Sequence, residues 1–313
     1  MIQQDQTAHT TVLLDEAVDA LVTDPDGTYI DGTFGRGGHS AAILARLSEN
    51  GRLLAFDKDP EAIASGRKRF ADDQRLELIH DSFATLGDQV AQRNLTGSVQ
   101  GVLLDLGVSS PQLDDDHRGF SFLREGPLDM RMNTESGESA AKWLARAKED
   151  EIAQVLKEYG EERFARRMAK AIVSARQQQD ITTTTQLAKI VADAHPAWEK
   201  HKHPATRAFQ GIRIHINREL DDLKQLLAAV LDVLAVGGRL VAISFHSLED
   251  RIVKRFVRDQ ERGPQLPRGV PVRDEPDSRR MKSLGKPLKP SGGEVDDNIR
   301  SRSAIMRVAE KLA

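Results

Sequence analysis

One stretch restricts this chain more than any other: Tyr29-Ile-Asp-Gly-Thr-Phe-Gly-Arg-Gly-Gly-His-Ser40. It reads as a short buried strand ending at Asp31, a glycine-rich turn, and a helix over 41–47. Gly35, Gly37 and Gly38 carry no Cβ, so the turn can reach positive φ and let a ligand lie against the backbone. Free N–H groups at the following helix start would face that ligand. The next apolar run, Arg52-Leu-Leu-Ala-Phe-Asp57, also ends in an acid, 20 residues after Gly37. That is about where a nucleotide fold places the carboxylate that binds a ribose. A glycine turn alone describes a ligand-free strand–helix connection nearly as well, and Asp57 is what favours a ligand. Ser40 stands where a dinucleotide fingerprint wants its third Gly or Ala. The loop therefore suits another adenosine ligand, such as S-adenosylmethionine, better than NAD.

The rest of the chain supplies the frame for such a loop. Apolar groups at helical spacing predict a helix over 12–22, with Thr11 as its cap. Asp59-Pro60 opens a helix toward Phe70, the segment 75–80 alternates like a strand, 83–92 reads as a helix, and 99–105 is a fourth apolar run ending in Asp105. Strands alternating with helices at this interval predict a parallel sheet with right-handed crossovers. The alternation stops between about Gln112 and about His215, where the sequence predicts helices over 140–159, 161–177 and 182–194 and no buried strand. It resumes with a helix over 219–234 ended by Gly237-Gly238, a strand over 239–245, a helix over 247–260, a loop over 263–293 and a last strand over 303–308. The expected fold class is therefore α/β, a Rossmann-like doubly wound sheet with an inserted all-helical domain. The sheet domain is discontinuous, 1–111 and 216–313, and the insertion covers 112–215, expected over the carboxyl ends of the strands where ligands bind.

Composition excludes several chemistries. The chain has no cysteine, so disulfides, thiolate metal sites and cysteine nucleophiles are out. Of 313 residues, 39% are hydrophobic and the formal charge is −3. Between Arg251 and Arg307, however, 15 Lys and Arg stand against 8 Asp and Glu. A basic C-terminal third on an acidic body fits an anionic partner, and a solvated tail equally. The first residues lack a secretory pattern and no apolar run is long enough to span a membrane, so a cytoplasmic protein is expected.

In an open sheet the acids at strand ends face one crevice. Asp31, Asp57 and Asp105 are expected to line it, and Asp105 opens a turn, Asp105-Leu-Gly-Val-Ser-Ser-Pro-Gln112, rich in acceptors and hydroxyls. His39 lies inside the glycine loop and is a candidate ligand contact, whereas His246 after a buried strand reads as a packed, hydrogen-bonded histidine. Asp114-Asp-Asp116 reads as a solvated acidic turn, and no metal site is expected. The stretch from Lys200 through His203 to Phe209, Arg213 and Arg218 joins cations to a ring, a mix that suits RNA phosphates and a stacked base.

Several motifs are long: Asp31-Gly-Thr-Phe-Gly-Arg-Gly-Gly-His39, Asp105-Leu-Gly-Val-Ser-Ser-Pro-Gln-Leu-Asp114, Arg118-Gly-Phe-Ser-Phe122, Gly126-Pro-Leu-Asp-Met-Arg-Met132, His203-Pro-Ala-Thr-Arg-Ala-Phe-Gln210, Ser244-Phe-His-Ser-Leu-Glu-Asp-Arg251 and Arg300-Ser-Arg-Ser303. From His9 to the C-terminus the chain closely resembles the bacterial ribosomal RNA small-subunit methyltransferase H family, also called MraW. The resemblance implies a class I methyltransferase fold and S-adenosyl-L-methionine-dependent methylation of the exocyclic N4 of a cytidine in the decoding region of 16S ribosomal RNA. It implies cofactor contacts at Gly37, Gly38, His39, Asp57, Phe83, Asp105 and Gln112, small-subunit RNA or the 30S subunit as partner, and a homodimer. Asp105 is the expected acceptor for the cytosine amine. Amino-methyltransferases often carry Asp-Pro-Pro-Tyr at this turn. Here Asp105-Leu-Gly-Val108 has no stacking aromatic, so Phe120, Phe122 or Phe209 is expected to hold the base. The rival readings are an RNA- or ribosome-binding factor with a vestigial cofactor pocket and, on weaker grounds, an NAD-dependent oxidoreductase.

Overall fold

The computed structural model describes residues 11–198, 203–262 and 279–313. The chain divides into two compact units, Met1–Gly107 with Asp221–Ala313, and Val108–Leu220.

The first unit is built on a seven-stranded sheet. Its strands are β1 (Thr28–Asp31), β2 (Arg52–Asp57), β3 (Leu76–His80), β4 (Val99–Asp105), β5 (Leu234–Ser244), β6 (Met281–Ser283) and β7 (Ile305–Lys311). Their order is β3-β2-β1-β4-β5-β7-β6. The first five are parallel, and β7 runs antiparallel to both β5 and β6. The sheet is thus mixed, not wholly parallel as the rhythm implied. Strand order reverses between β1 and β4, and in open sheets that is where ligands bind.

Side chains alternate across each strand, which places apolar neighbours in separate cores. Leu54, Phe56, Val102 and Leu104 join one cluster, Leu53, Leu103, Val241 and Ile243 another. The first cluster is closed by α4 (Leu86–Gln92), α11 (Glu219–Val233) and α12 (Ser247–Arg262), through Leu86, Val90, Leu223, Leu227, Val253 and Val257. The second is closed by α1 (Leu14–Leu21) and α2 (Gly38–Leu44), through Ala17, Val18, Leu21, Ile43 and Leu44. Between β2 and β3 lies α3 (Pro60–Arg69), capped by Asp59, which accepts from the Glu61 N–H at 3.0 Å.

The second unit contains α5 (Ser110–Asp114), α6 (Ala140–Arg146), α7 (Glu149–Glu158), α8 (Ala165–Arg176), α9 (Thr184–Ala194) and α10 (Ala205–Asn217). Its own core gathers Trp143, Leu156, Met168, Ile172, Leu187, Val191, Phe209 and Ile212. On α8 the buried set Ala165, Met168, Ala169 and Ile172 follows helical spacing, so one face packs and the other is left to solvent.

Four expectations differ from the structure, each for a non-local or backbone reason. Thr11 does not cap α1. Leu13 takes a left-handed φ of 51°, and its N–H donates to Oε1 of Glu294 at 2.8 Å, from α13 (Gly292–Asp297) near the chain's other end. The helix expected over 140–159 breaks between α6 and α7, because Ala147 turns extended at ψ 142°. The helix before β5 ends at Val233. Gly237-Gly238 lies inside β5, where pairing jumps from Val99–Leu234 to Gly101–Arg239. The loop expected over 263–293 contains β6 and the start of α13, while residues 263–278 lie outside the described residues. Likewise Lys200, His201 and Lys202 lie outside them, and the cationic and aromatic stretch from Ala205 through Phe209 and Arg213 is α10.

Candidate active site

The glycine turn is stitched to both neighbouring strands. The Gly32 N–H donates to the Leu103 carbonyl on β4 at 2.9 Å, and the Phe34 N–H to the Phe56 carbonyl on β2 at 2.8 Å. Gly35 and Gly37 take left-handed φ values of 55° and 72°, which side-chain-bearing residues adopt only with strain. A Cβ on Gly37 would stand 2.8 Å from the rings of both Phe34 and Phe70, so this glycine is required by packing. A Cβ on Gly35 would meet nothing closer than 3.9 Å, so this glycine borders open space, where a ligand can lie on the backbone. Gly38 opens α2 and lies against the Thr11 hydroxyl.

The three strand-end acids are present at this edge, in three different conditions. Asp31 is 1% exposed and fully engaged. Its Oδ2 accepts from the Ser40 hydroxyl at 2.7 Å and its Oδ1 from the Thr33 N–H at 3.0 Å. Burial pushes its pKa up, against the pull of those bonds. Asp57 is engaged as well, its Oδ2 by the Gly35 N–H at 2.7 Å and its Oδ1 by the Asp59 N–H at 2.8 Å. Burial drives it up to about 6, the two N–H donors pull it back, and the charges of Asp59 and Asp31 add to the rise. Asp57 thereby ties the glycine turn to β2.

Asp105 is the exception. Its backbone N–H is held by the Thr33 hydroxyl at 2.6 Å, which links the ends of β1 and β4. Its side chain is 24% exposed, yet Oδ1 is buried without a hydrogen-bond partner. Burial pushes this carboxyl up to about 8, with the charges of Asp31 and Glu249 raising it further. His39 Nδ1 stands 3.6 Å from Asp105 Oδ2. Burial lowers that imidazole to about 4, opposed by the Val12 carbonyl, so it is neutral at pH 7 and makes no ion pair with the carboxyl. A buried acceptor with no donor is costly to maintain, about 1–3 kcal/mol, and such groups concentrate where a ligand supplies what is missing.

Around these acids lie groups with defined supports. Phe83 opens a 3-10 turn after β3, half-buried against the core, with its Cβ beside Gly32. Asp222 of α11 accepts from the Ser82 hydroxyl and pairs with Lys58, fixing the chain just past β2 and β3. At the end of β5, whose Ile243 pairs in register with Asp105, His246 Nε2 lies 3.1 Å from Glu249 Oε1. The other Glu249 oxygen accepts from the Phe245 N–H at 3.0 Å. His246 is packed, but both its ring nitrogens are buried without a hydrogen-bond partner, where a hydrogen-bonded histidine was expected. The charge that Glu249 contributes at Asp105, and the Thr33 bond to β4, are what sequence reasoning missed. The motif running from Ser244 to Arg251 was the only signal for the former, and it carried no role.

In the second unit Gln112 is buried, and its Oε1 accepts from the Ser109 N–H at 3.0 Å, closing a capping box on α5. Phe120 and Phe209 are buried in the helical core, 6% and 4% exposed. Neither has a free face for a base. Phe122 is half-buried and keeps surface, with His203 at 4.9 Å and Phe209 at 5.0 Å between ring centroids. Asp115 accepts from the His117 N–H, so the acidic turn caps a 3-10 helix.

A profile of the MraW methylase family matches residues 6–312. The chain belongs to this family. Similar proteins include the Ribosomal RNA small subunit methyltransferase H of Chromohalobacter salexigens, 62% identical over 97% of this chain and 92% of that one. Those of Alteromonas mediterranea and Pseudoalteromonas atlantica are each 57% identical, over 100% and 98% of this chain and 100% and 99% of theirs. The MraW match spans both compact units, so the helical unit belongs to the family's common chain. Among the described residues no helix is long and apolar enough to cross a membrane.

Proposed function

We propose that this MraW-family chain transfers a methyl group from S-adenosylmethionine to the exocyclic N4 of a cytidine in the decoding region of 16S ribosomal RNA. The observation that carries the reading is Asp105 Oδ1, a buried acceptor left without a donor at the strand-order reversal while Asp31 and Asp57 are engaged by the protein itself. The relatives are named for the small-subunit ribosomal RNA.

The bound cofactor supplies a methyl group already activated on a sulfonium. The residues therefore need to bind, orient and accept hydrogen bonds. Gly37, Gly38, His39, Asp57, Phe83, Asp105 and Gln112 are assigned to the cofactor, with the open backbone at Gly35 fitting the same ligand. Asp57 sets the turn and offers the second lone pairs of its oxygens to a ribose. The cytosine amine is a weak nucleophile, because its lone pair is delocalised into the ring. Asp105 assists by accepting an amine N–H, which orients the nitrogen and raises its electron density. That role requires the ionised carboxylate, which a neighbouring positive charge favours. We assign the helical unit, residues 112–215, to substrate recognition, and assign the protein to the cytoplasm as a homodimer with small-subunit ribosomal RNA or the 30S subunit as partner.

Mass spectrometry of ribosomal RNA nucleosides from cells with and without the protein tests this reading. Loss of N4-methylated cytidine is expected, as is loss of transfer in Asp105→Ala. Unchanged nucleosides in the deleted strain would refute it.

A further inference from the structure

The exposed residues in the first half of α8 are all cationic. Arg163 precedes the helix, and Arg166, Arg167 and Lys170 follow at three- and four-residue intervals, all exposed. They span about 10 Å along the axis. No acid occurs between Arg163 and Gln179. Among the described residues, Arg166, Arg167 and Lys170 form no ion pair, and Arg163 makes only a cation–π contact with Phe164 at 5.4 Å. Like charges one turn apart repel by a few tenths of a kcal/mol per pair. On α9, by contrast, Lys189 is paired with Asp193 at 2.7 Å. An uncompensated stripe is a surface kept for an anion.

A second observation points to which anion. Phe164, at the start of α8, stands edge-on to His195 at 4.8 Å, and His195 ends α9 three residues before Trp198. Trp198 is 60% exposed. Its ring lies 5.3 Å from His203, which lies 4.9 Å from Phe122. An exposed indole in contact with another ring is a platform for stacking, and the Phe164–His195 contact ties the end of α9, three residues before it, to the start of α8. Unpaired cations and open aromatic faces are the two parts of a single-strand binding surface.

We propose that the helical unit carries a track for single-stranded RNA, in which Arg166, Arg167 and Lys170 hold backbone phosphates and the Trp198–His203–Phe122 cluster stacks bases. This rests on the RNA substrate proposed above and names the surface that takes it.

The test is equilibrium binding of in-vitro-transcribed small-subunit ribosomal RNA across a salt series. One variant is Arg166→Gln/Arg167→Gln/Lys170→Gln. A control of equal charge is Arg52→Gln/Arg67→Gln/Lys68→Gln, at the start of β2 and the last turn of α3. Three lost contacts lower the slope of log K against log salt by about two and weaken binding roughly fiftyfold at 0.15 M salt. The control keeps the wild-type slope. Trp198→Ala weakens binding about five- to hundredfold with the slope unchanged, because stacking releases no counterions. The chain has 2 tryptophans and Trp143 is 1% exposed, so RNA quenches mainly the Trp198 emission. S-adenosylmethionine binding by calorimetry and thermal stability stay at wild-type level in every variant. An α8 variant whose slope equals that of the control, or an emission unmoved by saturating RNA, overturns the track while leaving the methylation reading intact. A wild-type protein that binds S-adenosylmethionine but neither this RNA nor isolated 30S subunits overturns both.

Discussion

Asp105→Asn is the most informative single substitution, because it removes a proton site without removing shape. Burial, with the charges of Asp31 and Glu249, pushes the carboxyl up to about 8 in the folded chain from an ordinary value of 3.8. A folded-state value raised this far means that the group's contribution to stability is complete below about pH 4 and is lost as pH rises through about 8. The full interval corresponds to a ceiling of about 5–6 kcal/mol. Solvent reaches 24% of the side chain, which screens this to roughly 3 kcal/mol. About 2 kcal/mol of this falls between pH 5 and pH 9, so at about 2–4 °C per kcal/mol the wild-type melting temperature should fall by roughly 4–8 °C more than that of Asp105→Asn over that range. The difference between the two proteins isolates Asp105, since Asp31, Asp57 and His39 titrate in both. The same group predicts proton release on cofactor binding. At pH 7 about nine-tenths of Asp105 is protonated, so binding a sulfonium should release close to one proton, and at pH 9 about a tenth of one. Calorimetry in buffers of different ionisation enthalpy measures that number directly. Parallel melting curves, together with no proton release at pH 7, would refute the reasoning.

Other substitutions probe separate parts of the site. Gly37→Ala forces a Cβ to within 2.8 Å of two rings at a φ of 72° and should cost about 2–4 kcal/mol, read as a lowered denaturation midpoint. Asp57→Asn leaves a single acceptor oxygen for the Gly35 and Asp59 N–H groups, so the turn loosens and affinity for S-adenosylmethionine should drop about tenfold or more in calorimetry. Glu294→Ala deprives the Leu13 N–H of its acceptor and should cost about 1–2 kcal/mol in urea unfolding, with little change in cofactor affinity.

What the sequence made legible follows from how local each cause is. Asp31, Asp57 and Asp105 each end an apolar run, so β1, β2 and β4 could be bounded from the sequence, and Asp59-Pro60 marked the start of α3. β5 could not be bounded in this way, because its first residues are strand only through the Val99–Leu234 pairing, and the glycines that suggested a helix end instead accommodate a register shift. The apolar face of α10, through Ala208, Phe209 and Ile212, was hidden by the basic residues around it. In the site, the strand-end positions of the acids were readable, but their differing conditions were not. Asp31 is engaged by Ser40 and Thr33, and Asp57 by Gly35, through a turn geometry that no spacing reports. Gln112 shows the converse. The family resemblance implied a ligand contact for it, while its side chain closes the N-terminus of α5.

The electrostatic condition of the sheet edge bears on turnover. The charges of Asp31 and Glu249 raise the pKa of Asp105 in a buried setting, and among the described residues neither Asp31 nor Asp105 is paired with a cation. A cationic ligand relieves that repulsion and a neutral one does not. Asp105 therefore favours the sulfonium of S-adenosylmethionine over the neutral thioether left after transfer, and it does so only while ionised. When the charge on sulfur is lost, the carboxylate regains its affinity for a proton, and the product is held less tightly than the substrate. The ratio of the two affinities should widen by up to about tenfold per pH unit as pH rises from 6 to 8 and level off above that. In Asp105→Asn the ratio should stay flat, because Asn has no charge to lose. A wild-type ratio independent of pH would show that Asp105 does not sense the charge on sulfur.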